Sequence, residues 1–237
     1  NTFSNRRGRI LDTINEYSPD IIGFQEANDN MREWLIDSLS DYTVVGCGRL
    51  ADWRGESTVL AFKKHMFEMI SLENHWLSAT PDIPASTFGG DQSSCPRIFT
   101  AVCLKHREAS APFIFLNTHL DHKGATARLL GAVEIMQYLS GKGLHFVVTG
   151  DMNALPGTAE IAAFTSFAPC GRPVIDATEK LGGTFHAFGQ RAVPTKIDYI
   201  FTDMPCDPDE SFIVPNEPID GIYITDHCPV CSYVTAE

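Results

Sequence analysis

"TGDMNALPGT", residues 149–158, decides how the rest of the chain is read. It follows the apolar run "HFVV" (145–148), ends that run in Asp151 and Asn153, and breaks at Pro156–Gly157. A buried strand gains nothing by ending in a carboxylate and an amide, because burying an unpartnered polar group costs about 2–7 kcal/mol. Two readings fit the stretch. It is an ordinary strand-to-loop transition closed by an Asx turn, or the two side chains are held in a site.

Other strand-like segments stop the same way. Glu26 ends "IIGFQE" (21–26). In "FLNTHLDH" (115–122) a period of two puts Asn117, His119 and Asp121 on one face. Asp198 sits among apolar neighbours in "KIDYIF" (196–201), and Asp226 and His227 precede the last apolar run. Each has a plain reading: a solvated strand end, a hydrogen-bonded core histidine, or Asp198 paired to Lys196. Only convergence in space makes a site of them. Converged, Glu26, Asp151, Asp198 and Asp226 would form a carboxylate cluster, and two such charges ~4 Å apart repel by roughly 4 kcal/mol at a protein-like dielectric. The cluster must then bind protons, pair with His or Arg, or bind a cation. Oxygen ligands favour Mg²⁺, Mn²⁺ or Ca²⁺ over zinc. Asn153 and the imidazoles would bond a phosphate, which is equipment for metal-assisted phosphoester hydrolysis.

The surrounding chain reads as one mixed α/β domain over residues 1–237, layered around two sheets. Helices are expected at 6–20, with Ile10, Leu11, Ile14 and Tyr17 on one face and Pro19 as the stop, and at 31–40, 126–140 and 157–167, the last with Thr158 as N-cap. Strands are expected at 20–26, with Ile22, Phe24 and Glu26 on one side, and at 42–48, 57–64, 97–106, 112–120, 144–153, 195–203 and 228–236. Residues 73–84 read as a strand running into a Pro-bounded loop. Segments 97–106 and 112–120 read as a hairpin across "REASA".

The chain has 237 residues and a formal net charge of −12. That argues against avid binding to long duplex nucleic acid, which relies on Lys and Arg at phosphates. A cation can still invert the field locally for a phosphate substrate. No apolar run reaches the ~20 residues that span a bilayer, so no stable membrane insertion is expected. Seven scattered Cys read as reduced thiols in a reducing compartment, with the compartment itself left open.

In this order, "IIGFQE", "NTHLDH", "TGDMN", "KIDYIF" and "TDHCPV" resemble the motifs of the endonuclease/exonuclease/phosphatase superfamily, the deoxyribonuclease-I-like hydrolases. "HWLSATPDIP", "CPR" and "GTFHAF" are similar to a bacterial-type branch. The resemblance runs from residue 5 to residue 235. It implies a four-layer α/β/β/α sandwich with the site at one end of the sheets. It implies Glu26 as metal ligand and His119 near the scissile phosphate. Asp151 would orient or deprotonate the attacking water, and Asn153 would hold a phosphate oxygen. Asp198 would lie near the metal and the His. Asp226 would lie near the metal or support the site, and His227 would contact the phosphate and could serve as base. The cofactor implied is Mg²⁺ or Mn²⁺. The family's first strand, which carries a metal-binding Asn, has no counterpart here, since only "TFSN" precedes "RRGRIL". Either that strand lies upstream of this sequence or the protein lacks it, and its lack would expose a sheet edge and weaken metal binding.

Three further residues are candidates: Arg97 as a bidentate phosphate donor or an Arg paired to an acid at a strand start, His186 lining the substrate pocket or an ordinary hydrogen-bonded loop histidine, and Glu56 supporting the site from the loop before a strand. "CPVC" (228–231) fits a redox dithiol motif formally. It begins a strand, however, and a strand points Cys228 and Cys231 to opposite faces, against both a redox pair and a zinc site with His227. The expected function is a metal-dependent phosphoesterase, a monomer acting on a small phosphoester, a nucleotide or a short or single-stranded nucleic acid. The alternative is a non-catalytic member that binds a phosphorylated ligand or Ca²⁺.

Overall fold

A computed structural model describes residues 1–236. Helix α1 (Phe3–Tyr17) buries Ile10 and Ile14 and ends at Ser18, which takes a left-handed conformation ahead of Pro19. Strand β1 (Ile21–Ala27) leads into α2 (Asp29–Ser38), capped by Asn28, whose side chain accepts from Met31 N. Strands β2 (Tyr42–Val45), β3 (Ser57–Lys63), β4 (Phe67–Trp76), β5 (Ile98–His106) and β6 (Phe113–His119) follow. Then come α3 (Ala125–Lys142), β7 (His145–Asp151), α4 (Ala159–Ser166), β8 (Ile175–Asp176), β9 (Asp198–Thr202), β10 (Phe212–Ile213) and β11 (Val230–Cys231).

The strands form a mixed α/β architecture. One sheet has the order β1-β3-β2 and the other β4-β5-β6-β7-β9-β8, with a separate β10-β11 ribbon. In the larger sheet β6 and β7 run parallel, joined by α3, while their neighbours pair antiparallel. Alternation sorts each strand's residues to two faces. Val59 and Ala61 of β3 pack under α1 and α2, whereas Leu60 and Phe62 face Val102, Leu104, Phe113, Phe115 and Val147 of the other sheet. The opposite face of the larger sheet, with Phe99, Leu116, Val148 and Phe201, is covered by α3 and α4 through Ile135, Met136, Leu139 and Phe164.

Between the sheets the seam changes from apolar to polar towards the ends of β6 and β7. Asn117 is fully buried and uses its whole amide. Its Oδ1 accepts from Gln25 Nε2 (2.6 Å) and Thr149 Oγ1 (3.1 Å), and its Nδ2 donates to Phe24 O (2.8 Å) and Val59 O (3.1 Å). Gly23 lets the sheets meet there. A Cβ on it would lie 2.4 Å from Thr149 Oγ1 and 2.6 Å from Asn117 Oδ1.

Four sequence expectations change. Strand β4 begins at Phe67, ahead of the expected 73, because its exposed first half lacks a clean apolar alternation. The expected strand 228–236 shrinks to Val230–Cys231, with one isolated bridge from Val234 to Cys206. Thr158 stands at the N-cap of α4 without capping it, its hydroxyl donating instead to Leu155 O (3.0 Å). Glu26 does not share a side with Ile22 and Phe24. The pairing of β1 with β3 slips between Phe24 and Ala27, and Glu26 takes φ 57°. Such a bulge re-aims one side chain at the cost of local strain.

Among the described residues β1 pairs only with β3. Its other edge faces a groove of about 860 Å³, bounded by α1, the inner face of the larger sheet and residues 228–236.

Overpacking a close contact of the kind at Gly23 costs about 1–3 kcal/mol. For a chain of this size, Gly23→Ala is expected to lower Tm by several degrees at about 2–4 °C per kcal/mol. A thermal melt superimposable on the wild type would show that the sheets do not need this approach.

Candidate active site

Register builds the centre of the site. His119 stands opposite Asp151 across β6–β7, and Asp151 opposite Asp198 across β7–β9. Residues directly opposite one another share a face, so three strand ends present three side chains in one transverse row on the face towards the smaller sheet. His227 arrives from the loop before β11, held by an isolated bridge to Phe185 and by ring contact at 4.8 Å. Its Nδ1 lies 2.8 Å from Asp198 Oδ2, and its Nε2 3.9 Å from Asp151 Oδ2. His119 Nε2 is 3.6 Å from the same Asp151 oxygen. Asn153, at φ 48°, donates from Nδ2 to His119 Nε2 (3.0 Å) and to Leu120 O (3.1 Å), while its own N–H reaches Asp151 Oδ1 (2.8 Å).

Glu26 and Arg97 enter from the side. With His119, Arg49, Glu56 and Thr58 they line a small polar cleft. Arg97 is buried, donates to His122 Nδ1 (2.9 Å), and lies 3.7 Å from the Asp121 carboxylate. Asp121 stays out of the site. It accepts from Ser93 N, Lys123 N and Gly124 N and so fixes the loops beside Arg97. Glu56 pairs with Arg49 at 2.8 Å. Asp226 shares the groove wall with Glu26, Asp151 and His227. His186 is not brought into the cleft or the groove. Its buried ring accepts from Gly189 N (3.0 Å) and meets Asn216 Nδ2 (2.9 Å) behind the site.

Two supporting residues escaped the sequence reading. Buried Thr184 donates to Asp198 Oδ2. Buried Asn216 bonds the carbonyls of Thr225 (2.9 Å) and His227 (2.7 Å) and accepts from Ile224 N (2.8 Å). No pattern marks either, because their partners are distant in sequence or are backbone atoms.

The charges are strongly perturbed. Burial first, then Asp198, pushes the Asp151 carboxyl up to about 7 against the pull of His227. Burial disfavours charge on His227, but the hydrogen bond and charge of Asp198, aided by Asp151 and Asp226, outweigh it and raise the imidazole to about 9. Burial, then Arg97 and Arg49, hold His119 well below the ordinary histidine range, so it is neutral. Burial, then Glu56 and Asp226, raise Glu26. Among the described residues, Asp151, Asp198 and His227 offer ligand atoms that all lie within 4.8 Å of one another. Carboxylates driven towards neutrality by burial and mutual repulsion fit a divalent cation, which relieves both, and their oxygens suit Mg²⁺ or Mn²⁺. Glu26 and Asp226, the metal ligands expected from the sequence, line the same groove but are not in that trio.

Paired sheets flanked by helices, with polar strand ends gathered at one edge, define a deoxyribonuclease-I-like α/β fold. The sequence profile of the Endonuclease/Exonuclease/phosphatase family matches residues 1–227, and the chain belongs to that family. It is similar to an endonuclease/exonuclease/phosphatase structure from Bacteroides vulgatus, with a TM-score of 0.86 and 27% identity over 100% of this chain and 92% of that one. It is also similar to a mannosyl-6-phosphatase from Bacteroides thetaiotaomicron, with a TM-score of 0.85 and 25% identity over 98% and 91% of the two chains. A curated relative, Uncharacterized protein L388 of Acanthamoeba polyphaga mimivirus, is 26% identical over 158 residues, which span 64% of this chain and 59% of that protein.

The perturbed groups give stability a direction with pH. Asp151 rises from an ordinary 3.8 to about 7 on folding, so its contribution is complete below about pH 4 and lost as pH rises through 7. His227, raised from 6.5 to about 9, adds a loss in the same direction at higher pH. Metal-free protein is therefore expected to lose Tm from about pH 5 to about pH 9, with millimolar Mg²⁺ recovering most of the loss. Calorimetry at both ends, with and without EDTA, tests this. A melting temperature indifferent to Mg²⁺ at the alkaline end would count against a cation site.

Proposed function

We propose that the protein is a divalent-metal-dependent phosphoesterase acting on a small phosphoester. The observation that carries the reading is the gathering of His119, Asp151 and Asp198 in one row of strand ends with His227 bonded to Asp198 beside them. Family membership and the likeness to a mannosyl-6-phosphatase support it. The net charge of −12 favours a small substrate or a short single strand over long duplex DNA.

In this reading Asp151 aims the attacking water at phosphorus and accepts its proton as the new P–O bond forms, the ester P–O bond breaks, and the leaving oxygen takes up a proton from solvent. His227 and Arg97 bond the phosphoryl oxygens as charge builds on them. Asn153 keeps the His119 ring in place with Nε2 unprotonated. Glu26 and Asp226 would hold the Mg²⁺ or Mn²⁺, which when bound supplies Lewis-acid stabilisation of phosphoryl charge. Asp198 keeps His227 charged and oriented, and Thr184 fixes Asp198.

Hydrolysis of a panel of sugar phosphates, nucleotides, glycerol phosphate and short single-stranded RNA is expected to stop with EDTA and return with Mg²⁺ or Mn²⁺. Asp151→Asn and His227→Ala should each lower kcat by at least about a hundredfold. Asp151→Asn should melt no lower than the wild type, because it removes a repulsive buried carboxylate. Full activity in both variants would refute the assignment. Binding of these phosphates without turnover in the wild type would instead support a non-catalytic phosphate binder.

A further inference from the structure

Trp53 stands out among the residues that the proposed chemistry does not use. It lies in the tight loop between β2 and β3 and has φ 66°, a left-handed conformation that a bulky L-residue adopts only against strain. The loop enforces it. Trp53 N donates to Leu50 O (2.9 Å), Gly48 N to Trp53 O (2.9 Å) and Arg49 N to Glu56 O (3.0 Å). Gly48 is needed for that closure, since a Cβ there would lie 2.2 Å from the Arg54 carbonyl carbon. Trp53 is nevertheless 49% exposed.

Its one aromatic neighbour places it relative to the site. The indole meets Trp76 edge-to-face, centroids 5.3 Å apart. Trp76 is itself buried, and its Nε1 donates to Arg49 O (2.7 Å). Trp76 stands opposite Ile98 in the larger sheet. One step beyond the Phe99–Thr118 pair, Ile98 stands opposite His119. The transverse row that carries His119, Asp151 and Asp198 therefore continues through Ile98 to Trp76, and Trp53 sits on its end. Two strand spacings of about 4.8 Å separate Trp76 from His119 along the row, and the Trp53 ring lies 5.3 Å from that of Trp76. The same loop supplies Arg49 and Glu56 to the cleft between them.

We infer that Trp53 is a specificity-determining stacking platform, and that the substrate carries a ring, a sugar or a nucleobase, on the phosphate held beside His119. The inference rests on the phosphoesterase reading and adds the class of leaving group. An exposed indole offers a flat π-face to either kind of ring, whereas a ringless polyol phosphate has nothing to lay on it.

The test compares wild type with Trp53→Ala, Trp53→Gly and Trp53→Phe on hexose 6-phosphates, nucleoside 5′-monophosphates and glycerol phosphate. Trp53→Gly is the important control, because glycine accepts φ 66° and keeps the loop while removing the indole. Both Ala and Gly variants are expected to raise KM for the ring-bearing substrate about tenfold with kcat within about twofold, and Trp53→Phe to raise it less. KM for glycerol phosphate should not move. Whichever arm responds, sugar or nucleotide, identifies the ring. An equal rise for glycerol phosphate, or no change for any ring substrate, overturns the inference while leaving the hydrolase reading intact. If the wild type hydrolyses none of them, the hydrolase reading fails. Calorimetric titration of the same phosphates into wild type and Trp53→Gly then decides Trp53 separately. Ring-phosphate binding that weakens in the variant supports it, and unchanged or absent binding overturns it.

Discussion

The close approach of the two sheets at Gly23 and Asn117 is the constraint on which the site depends. The Asn117 amide satisfies two backbone carbonyls of the smaller sheet and two side chains, one from each sheet, and it does so only because position 23 has no Cβ. A buried amide with all its bonds made is tolerated in a core, and one with a bond missing is costly. The seam therefore has a narrow range of acceptable spacings. That spacing sets how far Glu26, on the smaller sheet, stands from His119 and Arg97, on the larger. The bulge that turns Glu26 inward begins just beyond the bonded Phe24 carbonyl.

The electrostatics of the row follow from the same closeness. Asp151 and Asp198 face one another across a strand pair in a buried place, and the fold answers with a histidine from a distant loop. His227 is kept protonated by Asp198 more than by Asp151, which leaves Asp151 with the raised carboxyl. His119, beside two guanidinium groups, takes the opposite state. Two imidazoles a few ångströms from one carboxylate thus differ in charge because their neighbours differ.

Much of this was legible in the sequence. The polar strand ends of "NTHLDH", "TGDMN" and "KIDYIF" are conspicuous because apolar alternation leads up to each of them, and the period of two already put Asn117 and His119 on one face. Register then did what pattern could not: it set His119, Asp151 and Asp198 in line. Glu26 was assigned the wrong side because a bulge leaves no mark in hydropathy, only a broken pairing. His186 could be read from the sequence either as a pocket residue or as an ordinary hydrogen-bonded loop histidine, and the bonds to Gly189 and Asn216 that favour the second exist only in three dimensions. The last apolar run looked like a full strand and is mostly not one, since strand length depends on a partner to pair with.

The parallel β6–β7 pair carries a further consequence. It is the central step of the row, and the chain must complete the α3 crossover before those two strands can register. Asp198 then has to dock on β7, and His227 must arrive from near the other end of the chain. Contacts closed over such long loops carry the largest entropic cost and form late in folding. Binding or turnover at this row would accordingly report the last stage of assembly, after helix content and collapse have already been reached, and refolding followed at the site should lag behind refolding followed by circular dichroism.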